Sequence, residues 1–147
     1  MSSGSERLRR GAEEETSFTA TIFGIVHVSA VACAALVTVV WVTYPHENPE
    51  PLTGSMKTLR TAAFVLFPVL FLLAVSTLVA ISRRRPKAAA VAFSAAVVLG
   101  LVLLGVALSA SAHQDGIVIV AALTIFLPGL VAVGASRLSL SSPRDIE

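Results

Sequence analysis

The sequence predicts an all-α integral membrane protein, with four transmembrane helices arranged as two antiparallel hairpins and both termini in the cytoplasm. Three observations carry that prediction. Of the 147 residues, 55% are apolar and only 14% charged, against about 25% charged in soluble domains, which have a wetted surface to cover. The charges gather in clusters between four long charge-free runs, each near the ~20 residues that let a helix cross a bilayer with its backbone satisfied. The basic residues are also shared unequally between the segments that join the runs.

The first run, 18–44, follows Glu13, Glu14 and Glu15 and meets no Asp, Glu, Lys or Arg until Glu47. It is long enough to cross with some tilt. Residues 1–17 ahead of it are polar and charged, and are expected to be a disordered cytoplasmic tail. Within the run, Ala30-Val31-Ala32-Cys33 loosely resembles a lipoprotein processing site. Cleavage is not expected, because the chain stays apolar through Ala34, Ala35, Leu36 and Val37, and a signal peptide avoids three acidic residues before its apolar core.

The second run, 61–82, lies between Arg60 and Arg83 and contains Pro68, where a kink is expected. The third, 88–112, follows Lys87. It carries Ala92, Ala96 and Gly100 at four-residue spacing and then Gly105 and Ser109, a small-residue face suited to close helix packing. The fourth, 117–136, contains Pro128-Gly129, a second expected kink, and stops at Arg137. Residues 137–147 are again polar and expected to be disordered. The third and fourth runs are separated by only His113-Gln114-Asp115-Gly116, which makes their helices antiparallel neighbours.

Orientation follows from the basic flanks. With the N-terminus inside, the inner side holds Arg7, Arg9, Arg10, Arg83, Arg84, Arg85, Lys87, Arg137 and Arg144, and the outer side only Lys57 and Arg60. The positive-inside rule favours this arrangement, and Arg83, Arg84, Arg85 and Lys87 set most of the bias. Trp41 and Tyr44 then fall at the outer interface, where amphipathic aromatics prefer to sit. Nine of the eleven basic residues are Arg, and Ala and Val abound, which points to a GC-rich bacterial genome and a plasma-membrane location.

The net charge of +2 does not indicate nucleic acid, because the basic residues flank apolar runs and form no patch interleaved with aromatics. At the inner face they meet anionic lipid headgroups. Cys33 is the only cysteine, so the chain forms no internal disulfide.

His27 is the one strongly titratable side chain inside a run. Intramembrane ionisable groups are functional candidates by default, but no carboxylate or cation lies in any run to complete a proton relay. The expected role is a neutral imidazole bonded to a hydroxyl, with Ser29, Ser76, Thr77, Ser94 and Thr124 suited in type. On the outer side, His46 and His113 are of a type to ligate a haem between their helix ends. With Glu47, Glu50 and Asp115 they match no metal-ligand spacing, so no metal and no cofactor are expected.

No nucleophile elbow, H-E-x-x-H, C-x-x-C or phosphate loop occurs, and an enzyme is not expected. The function expected is that of an accessory or scaffold subunit, associating with other membrane subunits or with itself through helix contacts. A small oligomeric channel or transporter, drawing on His27 and the two prolines, is the first alternative. A haem- or quinone-linked redox subunit is the second.

Overall fold

The computed structural model describes residues 3–43, 54–110 and 115–139. Four helices follow in chain order: α1 Ser3–Thr43, α2 Gly54–Ser82, α3 Pro86–Ala110 and α4 Asp115–Leu138. Each is long and apolar enough to cross a membrane. His46, His113 and Tyr44 lie outside the described residues, as do the side chains of Trp41 and Asp115.

The N-terminal segment corrects an expectation. Residues 3–17 are helical and continue into α1 without a break, whereas their polar composition had predicted disorder. The physical reason is that polarity marks solvation, while helix formation depends on propensity, and Glu, Arg, Leu and Ala are all strong helix formers. Glu6 lies in the first turn, where its charge complements the positive end of the helix dipole. Arg9 and Glu13 pair one turn apart at 3.5 Å. At the other end Arg137 and Leu138 are still helical, and 140–147 lie outside the described residues.

A tight turn joins α2 to α3, and its bonding explains its shape. The Arg85 N–H donates to the Ala80 carbonyl at 2.8 Å and the Arg84 N–H to that of Ile81 at 2.9 Å. This crossed pair closes the last carbonyls of α2 in a Schellman cap. The residue between helix and exit must take the left-handed conformation, and here it is Arg84, with φ 54°. Glycine usually fills that position, and an L side chain there costs about 1–2 kcal/mol. Pro86 then opens α3, where its fixed φ suits the first turn and its missing N–H costs nothing.

The helices form a ring in which α2 touches α1 and α3, and α4 touches α1 and α3, with α2 and α4 also meeting across the diagonal. The interior is built from small residues. Of fifteen buried apolar side chains among the described residues, seven are alanines: 20, 63, 74, 80, 89, 96 and 132. Alanine keeps helix axes close where lipid supplies no hydrophobic drive. Large apolar side chains point out instead, with Val91 72%, Ile117 69% and Val37 68% exposed. Apolar surface on this scale needs an apolar environment or a partner to cover it.

Two clusters fill the interior. One centres on Phe67, Leu70, Ala74, Ala96 and Leu103, the other on Ala20, Ile81, Phe93 and Ala132. Phe126 of α4 packs against both. His27 lies at this junction, between the rings of Phe93 and Phe126.

Candidate functional site

Along α1 the buried positions Ala20, Gly24, His27 and Val31 recur at helical spacing, so His27 falls on the inward face. Only 1% of it is exposed. Its Nδ1 lies 2.7 Å from the backbone carbonyl of Ile125 on α4. A carbonyl only accepts, so Nδ1 carries the hydrogen and donates it. Nε2 is buried with no hydrogen-bond partner, at a cost of about 1–3 kcal/mol.

The receiving surface is made by Pro128-Gly129. Pro128 lies inside α4 and lacks the N–H that would have bonded the Thr124 carbonyl. The next carbonyl along, that of Ile125, is the one His27 takes. Gly129 lets the rings approach. A Cβ there would lie 2.4 Å from Phe93 Cε2 and 3.0 Å from His27 Cγ and Nδ1. Phe93 meets the imidazole edge-on, at 5.5 Å and 73°, and Phe126 lies tilted at 6.1 Å and 47°.

None of the five hydroxyls suited to His27 is its partner. Ser76, Thr77 and Thr124 donate to carbonyls of their own helices, Leu72, Leu73 and Val120, at 2.7, 2.9 and 2.8 Å. Thr77, itself 1% exposed, is satisfied in this way. Ser29 and Ser94 are exposed, on the outside of α1 and α3. A lone His beside a Pro-Gly pair was legible in the sequence. That the partner would be a backbone carbonyl, and that Phe93 and Phe126 would enclose the ring, was not.

The small-residue face of α3 divides. Ala96 and Gly100 are buried, Ala92 is half-buried, and Gly105 and Ser109 are exposed. Gly100 receives the Phe126 ring so closely that a Cβ would lie 2.0 Å from its Cζ. Pro68 sits on the exposed face of α2, which runs through it as one helix. Arg83, Arg84, Arg85 and Lys87 are all exposed at the α2–α3 turn. His46 and His113 lie outside the described residues, so their juxtaposition is not described.

Beside Phe126 a cavity of about 310 Å³ opens among all four helices, lined by Val31, Leu70, Leu103, Ile117 and Ile125 with Thr38 as a rare polar group. Its walls offer no acid, base or ligand donor. No group of three or more His, Cys, Asp or Glu side chains occurs among the described residues. The imidazole packs against Phe93 and Phe126 and bonds α1 to α4 through Ile125. No protein-family model, curated protein or solved structure matches this chain.

Proposed function

We propose that this chain is a non-enzymatic accessory or scaffold subunit of a larger membrane complex. In this reading it sits in a bacterial plasma membrane as two antiparallel helical hairpins with both termini cytoplasmic. The observation that carries it is the division of small residues between inside and outside. Ala96 and Gly100 are used within the bundle, while Gly105 and Ser109 of α3 and Ser29 and Cys33 of α1 face outward. Outward small residues between large apolar ones let a neighbouring helix approach closely.

The interior supports a role through lateral contact over a conduit. His27 is engaged with Ile125, and the other two buried polar side chains among the described residues, Thr77 and Ser136, donate to carbonyls of their own helices. A wet path needs a continuous polar lining, and the described interior offers apolar walls. The orientation rests on nine basic residues on one side against two on the other.

Extraction in a mild detergent, native sizing and mass spectrometry of co-purifying proteins test the reading. Recovery with a second membrane protein in fixed stoichiometry is the expected result. A monomer with no partner in native membranes would sink it.

A further inference from the structure

At the end of the bundle where the basic residues gather, a second cavity of about 220 Å³ is of a different kind. It is bounded by Arg10, Glu13, Glu14 and Ser17 of α1, by Arg84 and Arg85 of the turn, and by Ser136 and Ser139 near the end of α4. Its floor is Ala20 and Ile81, which are buried, so it is a cleft between elements and not a flat charged face. We propose that this cleft binds a phosphate anion, supplied either by a phospholipid headgroup or by a soluble phosphate.

Charge, depth and geometry argue for it together. Three arginines and two glutamates line the cleft. Glu13 is already paired with Arg9, outside the lining, at 3.5 Å. That leaves one carboxylate, Glu14, against three guanidiniums, a surplus of two positive charges (3 − 1). Guanidinium is the side chain best matched to phosphate, because its planar fork donates two parallel hydrogen bonds.

The depth suits a lipid. The lining residues sit where each charge-free run begins or ends, beside Phe18, Ser82 and Arg137. In a membrane that is the level of the headgroup phosphates, just outside the hydrocarbon. The proposal rests on membrane placement of the helices only for the lipid source, and not on the subunit reading.

The turn adds an independent indication that the arginines are placed. Arg84 occupies the left-handed position that glycine fills without strain, and the crossed bonds from the Arg84 and Arg85 N–H groups fix where its side chain leaves the chain. A general positive charge at this face needs no arginine at that position.

The test uses the purified full chain in mild detergent, with native mass spectrometry and thermal unfolding as readouts. Three additions are compared: phosphatidylglycerol, a galactosyl diacylglycerol of the same acyl chains without phosphate, and inorganic phosphate against chloride at equal ionic strength. The expected result is one phosphatidylglycerol retained per chain with a raised unfolding temperature, and little retention of the galactolipid. Arg84→Gly and Arg10→Gln should each weaken retention about tenfold. Arg137→Gln and Lys87→Gln, at the same end but outside the cleft, should change it less than about twofold, as screened surface charges do.

Stabilisation by inorganic phosphate without lipid would support the site and assign it a soluble source. Equal retention of the galactolipid with no response to phosphate would overturn the proposal. So would a loss on Arg137→Gln as large as that on Arg84→Gly, because the attraction would then be diffuse. All arms use the isolated chain, so failure to find a partner subunit leaves this result standing, and the reverse.

Discussion

The imidazole of His27 on α1 donates a 2.7 Å hydrogen bond from Nδ1 to the backbone carbonyl of Ile125 on α4. This side chain thus bonds directly to the turn of α4 that precedes Pro128. Replacing it separates two contributions. His27→Phe loses the Nδ1 bond, worth about 1 kcal/mol, but also removes the unpartnered Nε2, which costs about 1–3 kcal/mol, so it should be as stable as the parent or up to about 2 kcal/mol more stable. His27→Ala also leaves a cavity and should cost about 2–4 kcal/mol. Reversible unfolding in mixed micelles measures both. A His27→Phe variant clearly less stable than the parent would show that the bond outweighs the burial of Nε2.

The glycines should respond in a set order. Gly129→Ala drives a Cβ to 2.4 Å from Phe93, whose ring is buried against His27. Neither ring has room to retreat, and the cost should reach about 1–3 kcal/mol. Gly100→Ala clashes with Phe126, but that ring borders the apolar cavity and can swing toward it, so the loss should be smaller. Gly105 and Gly134 have nothing within 4 Å of an added Cβ. Alanine there should be neutral or stabilise by up to about 1 kcal/mol through helix propensity. The same unfolding assay ranks all four, and Gly105→Ala falling below Gly129→Ala would contradict the packing described.

Arg84→Gly should make the chain more stable while weakening its cleft. Relief of the left-handed backbone is worth about 1 kcal/mol. The unfolding temperature without added lipid should therefore rise. A fall would mean that the Arg84 side chain contributes more to the turn than its backbone costs.

Orientation is open to a direct labelling test on a Cys33→Ser background. Gly54→Cys lies at the start of α2 with open space around it, and Ser5→Cys lies near the start of α1. An impermeant maleimide applied to intact cells should label position 54, and position 5 only after lysis. The opposite pattern would invert the proposed topology.

How much of this was legible in the sequence depends on range. The third and fourth runs, expected at 88–112 and 117–136, correspond to helices Pro86–Ala110 and Asp115–Leu138, because lack of charge over a span's length is a local property. The helical start of α1 at residues 3–17 was not legible in composition, because polarity marks solvation and says little about helix propensity. The face of α3 was only half legible. Ala92, Ala96 and Gly100 keep four-residue spacing, but Gly105 follows after five, about 140° round the helix at 3.6 residues per turn, and it points outward. The partner of His27 was not legible, because a backbone carbonyl leaves no mark of its own in a sequence. Pro128 was no guide either, since the carbonyl it leaves without a helix partner is that of Thr124, and His27 takes that of Ile125.

Photo-crosslinking in native membranes tests the central claim most directly. A photoreactive residue is placed in turn at Ser29 and Cys33 on the outside of α1, and at Gly105 and Ser109 on the outside of α3. The account predicts an adduct of one fixed mass with a protein, at α1 or α3, and none from Leu127 on the large-residue outer face of α4. Adducts with lipid alone at all five positions would contradict it, and would leave a bundle whose outward small residues meet no neighbour.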